Sequence, residues 1–497
     1  MTATSSTVKS ATLDGLSSNH YKNRATRFAL FLLIRAKFVI IAAVNPRASK
    51  ILLGIVALIV VATAVLYFPS FYHQHLAWRL DNLQTSLYYF FHPPQKVVFV
   101  PGQESLTVTP GQPTEAPAST STPLPTDLAT PTLTSTPPPD SVVLSNITFI
   151  DQMHRWNYCG PANLAMALEY WGWKGVPGDT SDLRDQIAFV VKPGANDPNG
   201  SFIDNGNTDV NVMPYELVDY VNDHTTLKAL FRYGGDLDLI KRLIAAGFPV
   251  IAEKGIYQTL PPENTMQWAG HYAFTTGYDE SQQLFTWQDS YTPNDKIPPK
   301  DQGYNVKISY ADYQSNWRAF DYIFIVVYPA DKQDALYQVL GPWADETWAA
   351  QHALNISQQE SQSLTGLDQF FATFNEGTSF NQLTLYGSAA AAYDQAFSLY
   401  NNLTESDRPY RIMWYETGPY FAYYYTSRFQ DVIDLANSTL ATIKAPRSLE
   451  ESWYWRALAE YALGETGQAV ADIKQAYYYN RYLQATVQVM QQWGVTP

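Results

Sequence analysis

Hydrophobic positions first form one long uninterrupted run, Ile51–Phe68, which contains no charged residue. As a helix this run is about 27 Å long, enough to cross the core of a bilayer. We predict a transmembrane helix over residues 51–68. Aromatic residues follow at its far end, where interfacial side chains are expected: Tyr67, Phe68, Phe71, Tyr72 and Trp78.

Two other segments near the N-terminus bear on this prediction. A cleaved signal peptide is the alternative for the apolar run, because Ala62–Ala64 resembles a cleavage site. The stretch Phe28–Val44 is also apolar, but Arg35 and Lys37 interrupt it. A helix on the membrane surface suits that stretch better than a second span.

The segment that follows is too polar to form a hydrophobic core. After a membrane-proximal segment, 69–100, residues 101–140 are rich in Thr, Ser and Pro. Such a sequence buries no core, and its prolines favour extended backbone. We interpret residues 101–140 as a linker that serves as a stalk between the membrane and the body.

Short apolar runs then alternate with helical periodicity over residues 141–330. Asn163–Trp171 and Leu237–Ala246 have the spacing of amphipathic helices. The mixture predicts an α+β domain. Four runs are typical of strands: FPVIAE, HYAFTTGY, LFTWQ and YIFIVVY.

From residue 331 to residue 497 the strand pattern is lost and Ala-rich, Tyr-rich helical segments follow. Small residues at Ala457, Gly464, Ala469 and Ala476 resemble the close helix contacts of a tetratricopeptide repeat. We predict an α-helical repeat domain, with a generic helical bundle as the alternative. Its tyrosines provide contact area for a protein partner, although core packing accounts for most of them.

Charge is distributed unevenly and changes which partners are plausible. Residues 1–50 hold eight of the 32 basic residues and one acid, whereas the remainder has 24 basic and 45 acidic side chains. The positive-inside rule places the basic segment in the cytoplasm and the body outside the cell membrane. An acidic body of net charge −21 repels phosphates, which argues against nucleic-acid binding.

The chain has a single cysteine, Cys159, which excludes an intramolecular disulfide and a Cys/Cys zinc site. Pro161 suits the first turn of a helix, and Leu164, Ala167 and Leu168 follow at helical spacing. Cys159 is therefore predicted at a helix N-terminus, where free N–H groups stabilise a thiolate. A nucleophile needs this placement, whereas a buried structural cysteine does not.

A base for this thiol is offered by His271, at the start of an alternating strand. A returning strand ends at Asp289, and a turn near Glu280 would set Asp289 directly opposite His271. The carboxylate would then orient the imidazole for proton transfer with Cys159. The alternative is an isolated strand histidine beside an unrelated aspartate, which a one-residue change of register would produce.

These residues occur together in an order that resembles the bacteriocin-processing, double-glycine-type cysteine peptidases (cysteine peptidase family 39 and its stand-alone relatives). The resemblance covers about residues 141–330. It implies a papain-like fold with Cys159 as nucleophile, His271 as base, Asp289 as orienting residue and Gln152 as oxyanion donor, and no metal or cofactor. The matching motifs are Gln152, Cys159-Gly160-Pro161-Ala162, Ala246-Gly247-Phe248-Pro249-Val250, Gly270-His271-Tyr272 and Asp289.

The resemblance leaves the substrate open, because the best-known members are fused to cytoplasmic ATPase transporters and this chain has no phosphate-binding Walker motif. The polar stretch Asn196–Asn211 is interpreted as a surface loop, with a substrate loop or calcium loop as alternatives. We predict a membrane-anchored extracytoplasmic cysteine peptidase acting on peptides or proteins. The alternatives are a catalytically silent binding module, an amidase or transpeptidase on cell-wall peptides, and a scaffold.

Overall fold

The structure is a computed structural model that describes residues 98–102, 138–152, 158–191, 212–260, 265–291, 303–443 and 449–496. The described residues all belong to one compact unit. The predicted transmembrane helix 51–68, the surface helix 28–44 and the loop Asn196–Asn211 lie outside the described residues. Within the described ranges, no helix combines the length and apolarity needed to cross a membrane.

One antiparallel sheet of seven strands organises the first half of the body. The strand order is β2-β7-β3-β4-β5-β6, and β1 pairs with the end of β4. The long hairpin of β3 and β4 therefore lies at the centre. The strands are β1 (Ser141–Val143), β2 (Leu227–Arg232), β3 (Val250–Leu260), β4 (Thr265–Asp279), β5 (Leu284–Gln288), β6 (Val306–Ser309) and β7 (Phe324–Pro329).

Helices cover both faces of this sheet, because its central strands carry buried apolar residues on both faces. Ile251 and Phe274 pack against the helices of one face. Their neighbours Ala252 and Ala273 belong to the core of the other face. The first face holds α1 (Cys159–Tyr170), α2 (Leu183–Val191) and α3 (Pro214–His224), and the second holds α4 (Leu237–Ala245) and α5 (Tyr310–Arg318).

Beyond β7 the described chain is helical, as predicted. The helices are α6 (Gln333–Leu340), α7 (Glu346–Ser363), α8 (Gly366–Gln382), α9 (Tyr386–Asn402), α10 (Ile412–Tyr415), α11 (Gly418–Tyr425), α12 (Phe429–Ala441), α13 (Glu450–Ala462), α14 (Thr466–Tyr479) and α15 (Gln484–Gln492). Ala457, Ala469 and Ala476 are fully buried between α13 and its neighbours. Gly464 turns the chain between α13 and α14 with φ +84°, a conformation that favours glycine. The repeat character of this region stays a prediction.

The sheet and the helical region share one hydrophobic core. Trp268 of β4 and Phe320 lie in the same buried cluster as Phe371 of α8 and Tyr393 of α9. The Trp268 and Phe371 ring centroids are 5.5 Å apart, and those of Trp268 and Phe320 are 5.8 Å apart. Aromatic side chains of this size contribute heavily to core stability. The helical region thus stabilises the strand that carries His271.

The two ends of the Thr/Ser/Pro-rich linker attach to this same body, a difference from the predicted stalk. Before the linker, the ring of Phe99 is buried and packs on Phe397, with centroids 5.0 Å apart. The Gly102 N–H donates to Asp431 Oδ1 at 2.9 Å. After the linker, the Tyr278 hydroxyl donates to the carbonyl of Pro139 at 2.7 Å.

Candidate active site

Cys159 is the first residue of α1, so it lies at the helix N-terminus that its sequence context predicts. The helix begins two residues before Pro161, which occupies its first turn, where no backbone N–H is needed. Tyr158 makes no side-chain capping bond, which leaves the N–H groups of the first turn to the thiol and its surroundings. Ala162, Leu164 and Leu168 are fully buried and fix the helix on the sheet.

The thiol of Cys159 is half-buried and interacts with the His271 ring. Burial raises the pKa of the thiol, but the hydrogen bond with His271 and the charge of that ring bring it below its ordinary value. The backbone N–H groups of Tyr272 and Gly160 act in the same direction. This environment favours a thiolate, the form of cysteine that reacts.

His271 is buried on β4 and donates from Nε2 to Asp289 Oδ1 at 2.7 Å. Nδ1 is then the ring nitrogen available to Cys159. Burial lowers the pKa of the imidazole, but the charge and hydrogen bond of Asp289, together with the interaction with Cys159, outweigh that effect and raise the pKa to about 9. The charged ring and the thiolate therefore stabilise each other.

The predicted direct opposition of His271 and Asp289 is wrong, although the two side chains meet. The β4–β5 turn lies after Asp279, and a bulge between Thr275 and Gly277 shifts the register by one residue. The last pair of the ladder is Phe274 with Gln288, so His271 is a diagonal rather than a direct neighbour of Asp289. Diagonal residues on one face remain within reach of long side chains.

Asp289 is held by more partners than the sequence suggested. Lys254 Nζ lies 3.1 Å from Oδ2, and the Tyr291 N–H donates to Oδ1 at 3.0 Å. Burial raises the pKa of the carboxyl, but Lys254 and His271 hold it well below its ordinary value. Asp289 is therefore ionised beside the imidazole. No feature of the sequence pointed to Lys254, whose position depends on strand register.

Asn163, one turn after Cys159 on α1, is a second residue that sequence reasoning did not assign. Its buried amide donates to the carbonyls of Cys159 at 2.8 Å and Tyr272 at 3.0 Å, and to Ser290 Oγ at 3.1 Å. Asn163 thus connects the nucleophile helix to β4 and to the segment after β5. The available signal was its i+4 spacing from Cys159, which places both residues on one helix face.

Gln152 is connected to this cluster through Ser290. Its side chain is buried, and Oε1 accepts a hydrogen bond from Ser290 Oγ at 3.1 Å. The Gln152 N–H also donates to the Ser290 carbonyl at 2.9 Å. Ser290, which follows Asp289, therefore links Gln152 to Asn163.

Two carboxyl groups that interact with each other, Glu253 and Glu416, have raised pKa values. Glu253 neighbours Lys254 on β3, and burial together with the charge of Glu416 raises its pKa well above the ordinary value. Burial raises the pKa of Glu416 to about 8. The Tyr415 ring packs against Trp268 with centroids 5.9 Å apart. The described residues contain no group of three or more His, Cys, Asp or Glu residues able to hold a metal ion.

Comparisons with known proteins found matches over part of the chain. Two solved structures are similar over part of the chain. A putative C39-like peptidase from Bacillus anthracis has 19% identity, covering 38% of this chain and 96% of that one, with a TM-score of 0.26. Xylellain, a cysteine protease from Xylella fastidiosa, has 17% identity, covering 39% and 87%, with a TM-score of 0.23. No curated protein matches. Residues 144–323, which include all four predicted site residues, match the model of the Peptidase_C39-like family.

Proposed function

We propose that the protein is a cysteine peptidase that cleaves peptide bonds with Cys159 as nucleophile, His271 as general acid and base, and Asp289 as the residue that orients His271. One observation carries the proposal: Cys159 lies at a helix N-terminus, and its thiol interacts with the His271 ring, which is hydrogen-bonded to the Asp289 carboxylate. A structural cysteine has no need of this arrangement.

The proposed reaction proceeds in two steps. The Cys159 thiolate attacks the carbonyl carbon of the peptide bond, and the charged His271 gives its proton to the departing amine. A thioester remains on Cys159. Neutral His271 then removes a proton from water, which attacks the thioester and releases the carboxylic acid and the thiolate. Asp289 keeps the ring in the orientation that both transfers need.

The negative oxygen of the tetrahedral intermediates needs hydrogen-bond donors. We assign this role to the Cys159 backbone N–H and the amide of Gln152, whose oxygen is already bonded to Ser290. Removing one oxyanion donor typically lowers turnover by about 100- to 1000-fold. Gln152→Ala is expected to show a loss of this size if its amide reaches the intermediate.

The test combines thiol reactivity with peptide hydrolysis in the full chain. The alkylation rate of Cys159 should indicate a thiolate well below the ordinary thiol pKa of about 8.5. Cys159→Ala should abolish hydrolysis, His271→Ala should cost nearly as much, and Asp289→Asn should cost less. Matched controls are His224→Ala, at an exposed residue, and Asp279→Asn, at a half-buried residue at the end of β4.

Two outcomes would favour the alternative functions. A Cys159 that titrates as a free thiol, or that reagents do not reach in the folded protein, would indicate a catalytically silent binding module. Transfer of the acyl group to an added peptide amine in preference to water would indicate a transpeptidase. Both reactions pass through the same thioester, so product analysis is needed to separate them.

Membrane anchoring and an extracytoplasmic body are part of the proposal. They are supported by the apolar run at residues 51–68 and the basic residues that precede it. Protease added to intact cells should remove the body, and full protection of the body would refute this topology.

We also propose that residues 385–497 form tetratricopeptide-like repeats that bind a protein partner. Tyr425 and Tyr478 are about half exposed, whereas Tyr420 and Tyr423 are fully buried. Unchanged partner recovery after replacing the two exposed tyrosines by alanine would argue against this surface.

A further inference from the structure

Lys254 is the least expected residue near the candidate site. Its side chain is only 3% exposed. Lysine is almost never buried to this degree unless an opposite charge compensates for the lost hydration. Lys254 pairs with His271 in the β3–β4 ladder, so both side chains lie on one face of the sheet. The buried ammonium is thus built into the strand pair that carries the proposed base.

The Lys254 ammonium group contacts both a carboxylate and an aromatic ring. Nζ lies 3.1 Å from Asp289 Oδ2 and 3.4 Å from the centroid of the Trp287 ring. The other oxygen of Asp289 accepts from His271 at 2.7 Å. Each carboxylate oxygen is therefore fixed by a separate nitrogen, which prevents rotation of Asp289 away from His271. The Trp287 ring holds the ammonium by a cation–π interaction.

The charge of Lys254 also affects the pKa values of the titratable groups in the site. A positive charge lowers the pKa of each group close to it, since it favours ionised acids and disfavours protonated bases. Burial lowers the pKa of Lys254, whereas the charges of Asp289 and Cys159 raise it. The further titratable groups that respond to Asp289 or Cys159 are Glu253, Tyr272, Tyr291 and Tyr415. Among the described residues, Lys254 and His271 are the basic side chains that pair with Asp289.

We propose that Lys254 is a positioning residue, which keeps Asp289 ionised and oriented toward His271 and so sets the pH range in which the Cys159–His271 ion pair exists. The inference rests on the proposed function, because it concerns how that site is tuned. Removing the Lys254 charge should raise the pKa of Cys159 and of His271 together. The pH range of the ion pair should then move upward by about 1 unit, the lower end of the effect of a close charge.

The experiment measures the rate of Cys159 alkylation by iodoacetamide against pH in the full chain. Lys254→Met removes the charge while keeping a long apolar side chain, and Lys254→Gln removes it while keeping a hydrogen-bond donor for Asp289. Both variants should form the reactive thiolate at higher pH than the wild type. Lys254→Arg, which keeps the charge, should show the wild-type dependence of the alkylation rate on pH.

Lys241→Met is the matched control. Lys241 also pairs with carboxylates, Asp238 at 2.8 Å and Glu280 at 3.0 Å, and lies near the Tyr310 ring. Its loss should leave the alkylation profile unchanged.

A folded Lys254→Met or Lys254→Gln protein with the wild-type profile would overturn the inference and leave the proposed peptidase intact. A wild-type thiol that titrates as a free cysteine would instead remove the proposed function. If Lys254→Met does not fold, Lys254→Gln decides the question by the same measurement.

Discussion

Replacing Asn163 by alanine tests how the nucleophile helix is attached to the sheet. The amide has two N–H bonds and lies within hydrogen-bond distance of three acceptors: the part-buried Cys159 carbonyl, the buried Tyr272 carbonyl and the buried Ser290 Oγ. At most two full hydrogen bonds are therefore lost. A buried acceptor left without its donor costs about 1–3 kcal/mol. We expect Asn163→Ala to lower the free energy of unfolding by about 2–4 kcal/mol, allowing for partial relaxation.

The same substitution should affect the chemistry of the site. Ser290 loses its link to α1, and the segment that carries Asp289 is then held less firmly against His271. The assay is urea unfolding followed by tryptophan fluorescence, together with the alkylation rate of Cys159 at pH 6. We expect both the stability and the thiol reactivity to fall.

Asn222→Ala is a matched control for this experiment. Asn222 also joins a helix to a strand, donating to the Ala229 carbonyl at 3.1 Å and accepting from its N–H at 3.0 Å, but it has no contact with the site. The Asn222→Ala protein should be less stable than the wild type but keep the thiol reactivity of the wild type. If Asn163→Ala retains wild-type reactivity, or changes stability by less than about 0.5 kcal/mol, Asn163 does not hold the nucleophile helix on the sheet in the way proposed.

Two further predictions follow from the surroundings of the site. Glu416 has a folded-state pKa of about 8 against an ordinary 4.5, so its contribution to stability is full below pH 4.5 and is lost as pH rises through 8. In thermal unfolding experiments, the stability of Glu416→Gln relative to the wild type should increase as the pH rises over that range. Curves of stability against pH that run parallel for the two proteins would contradict this prediction. Gly270→Ala would place Cβ 2.7 Å from Phe320 Cζ and 2.9 Å from the Tyr415 ring, and should destabilise the protein by about 1–3 kcal/mol. Gly387→Ala, which meets no heavy atom within 4 Å, is its control in the same melting experiment.

The sequence predicted the parts of the fold that depend on local pattern. The four apolar runs correspond to β3, β4, β5 and β7, and the two helical patterns correspond to α1 and α4. Short elements such as β1 and β6 carry too few residues for a period to be recognised. The shared core of Trp268 and Phe371 was also beyond prediction, because nothing local to either residue indicates which distant helix it contacts.

Some residues of the candidate site could also be predicted from local sequence, whereas others depend on the fold. Cys159 could be placed because helix capping and periodicity are local properties of its segment. The His271–Asp289 pair was anticipated with the wrong register, since neither the turn position nor the bulge near Thr275 is marked in the sequence. Lys254 and Asn163 act through contacts across strands and helices. Such contacts follow from register and packing, which one sequence without its structure does not supply.

The packing of Phe99 changes the mechanical role of the linker. The chain is fixed on α9 before residue 103 and on the sheet after residue 137, so residues 103–137 connect two points of the same body. If residues 51–68 span a membrane, only residues 69–97 separate the membrane from the body, a fully extended reach of about 100 Å at most. Shortening the Thr/Ser/Pro-rich stretch would then leave the height of the peptidase above the membrane unchanged. A single cut within it would break the chain without at once releasing the domain, because Phe99 and Gly102 keep their contacts with the helical region.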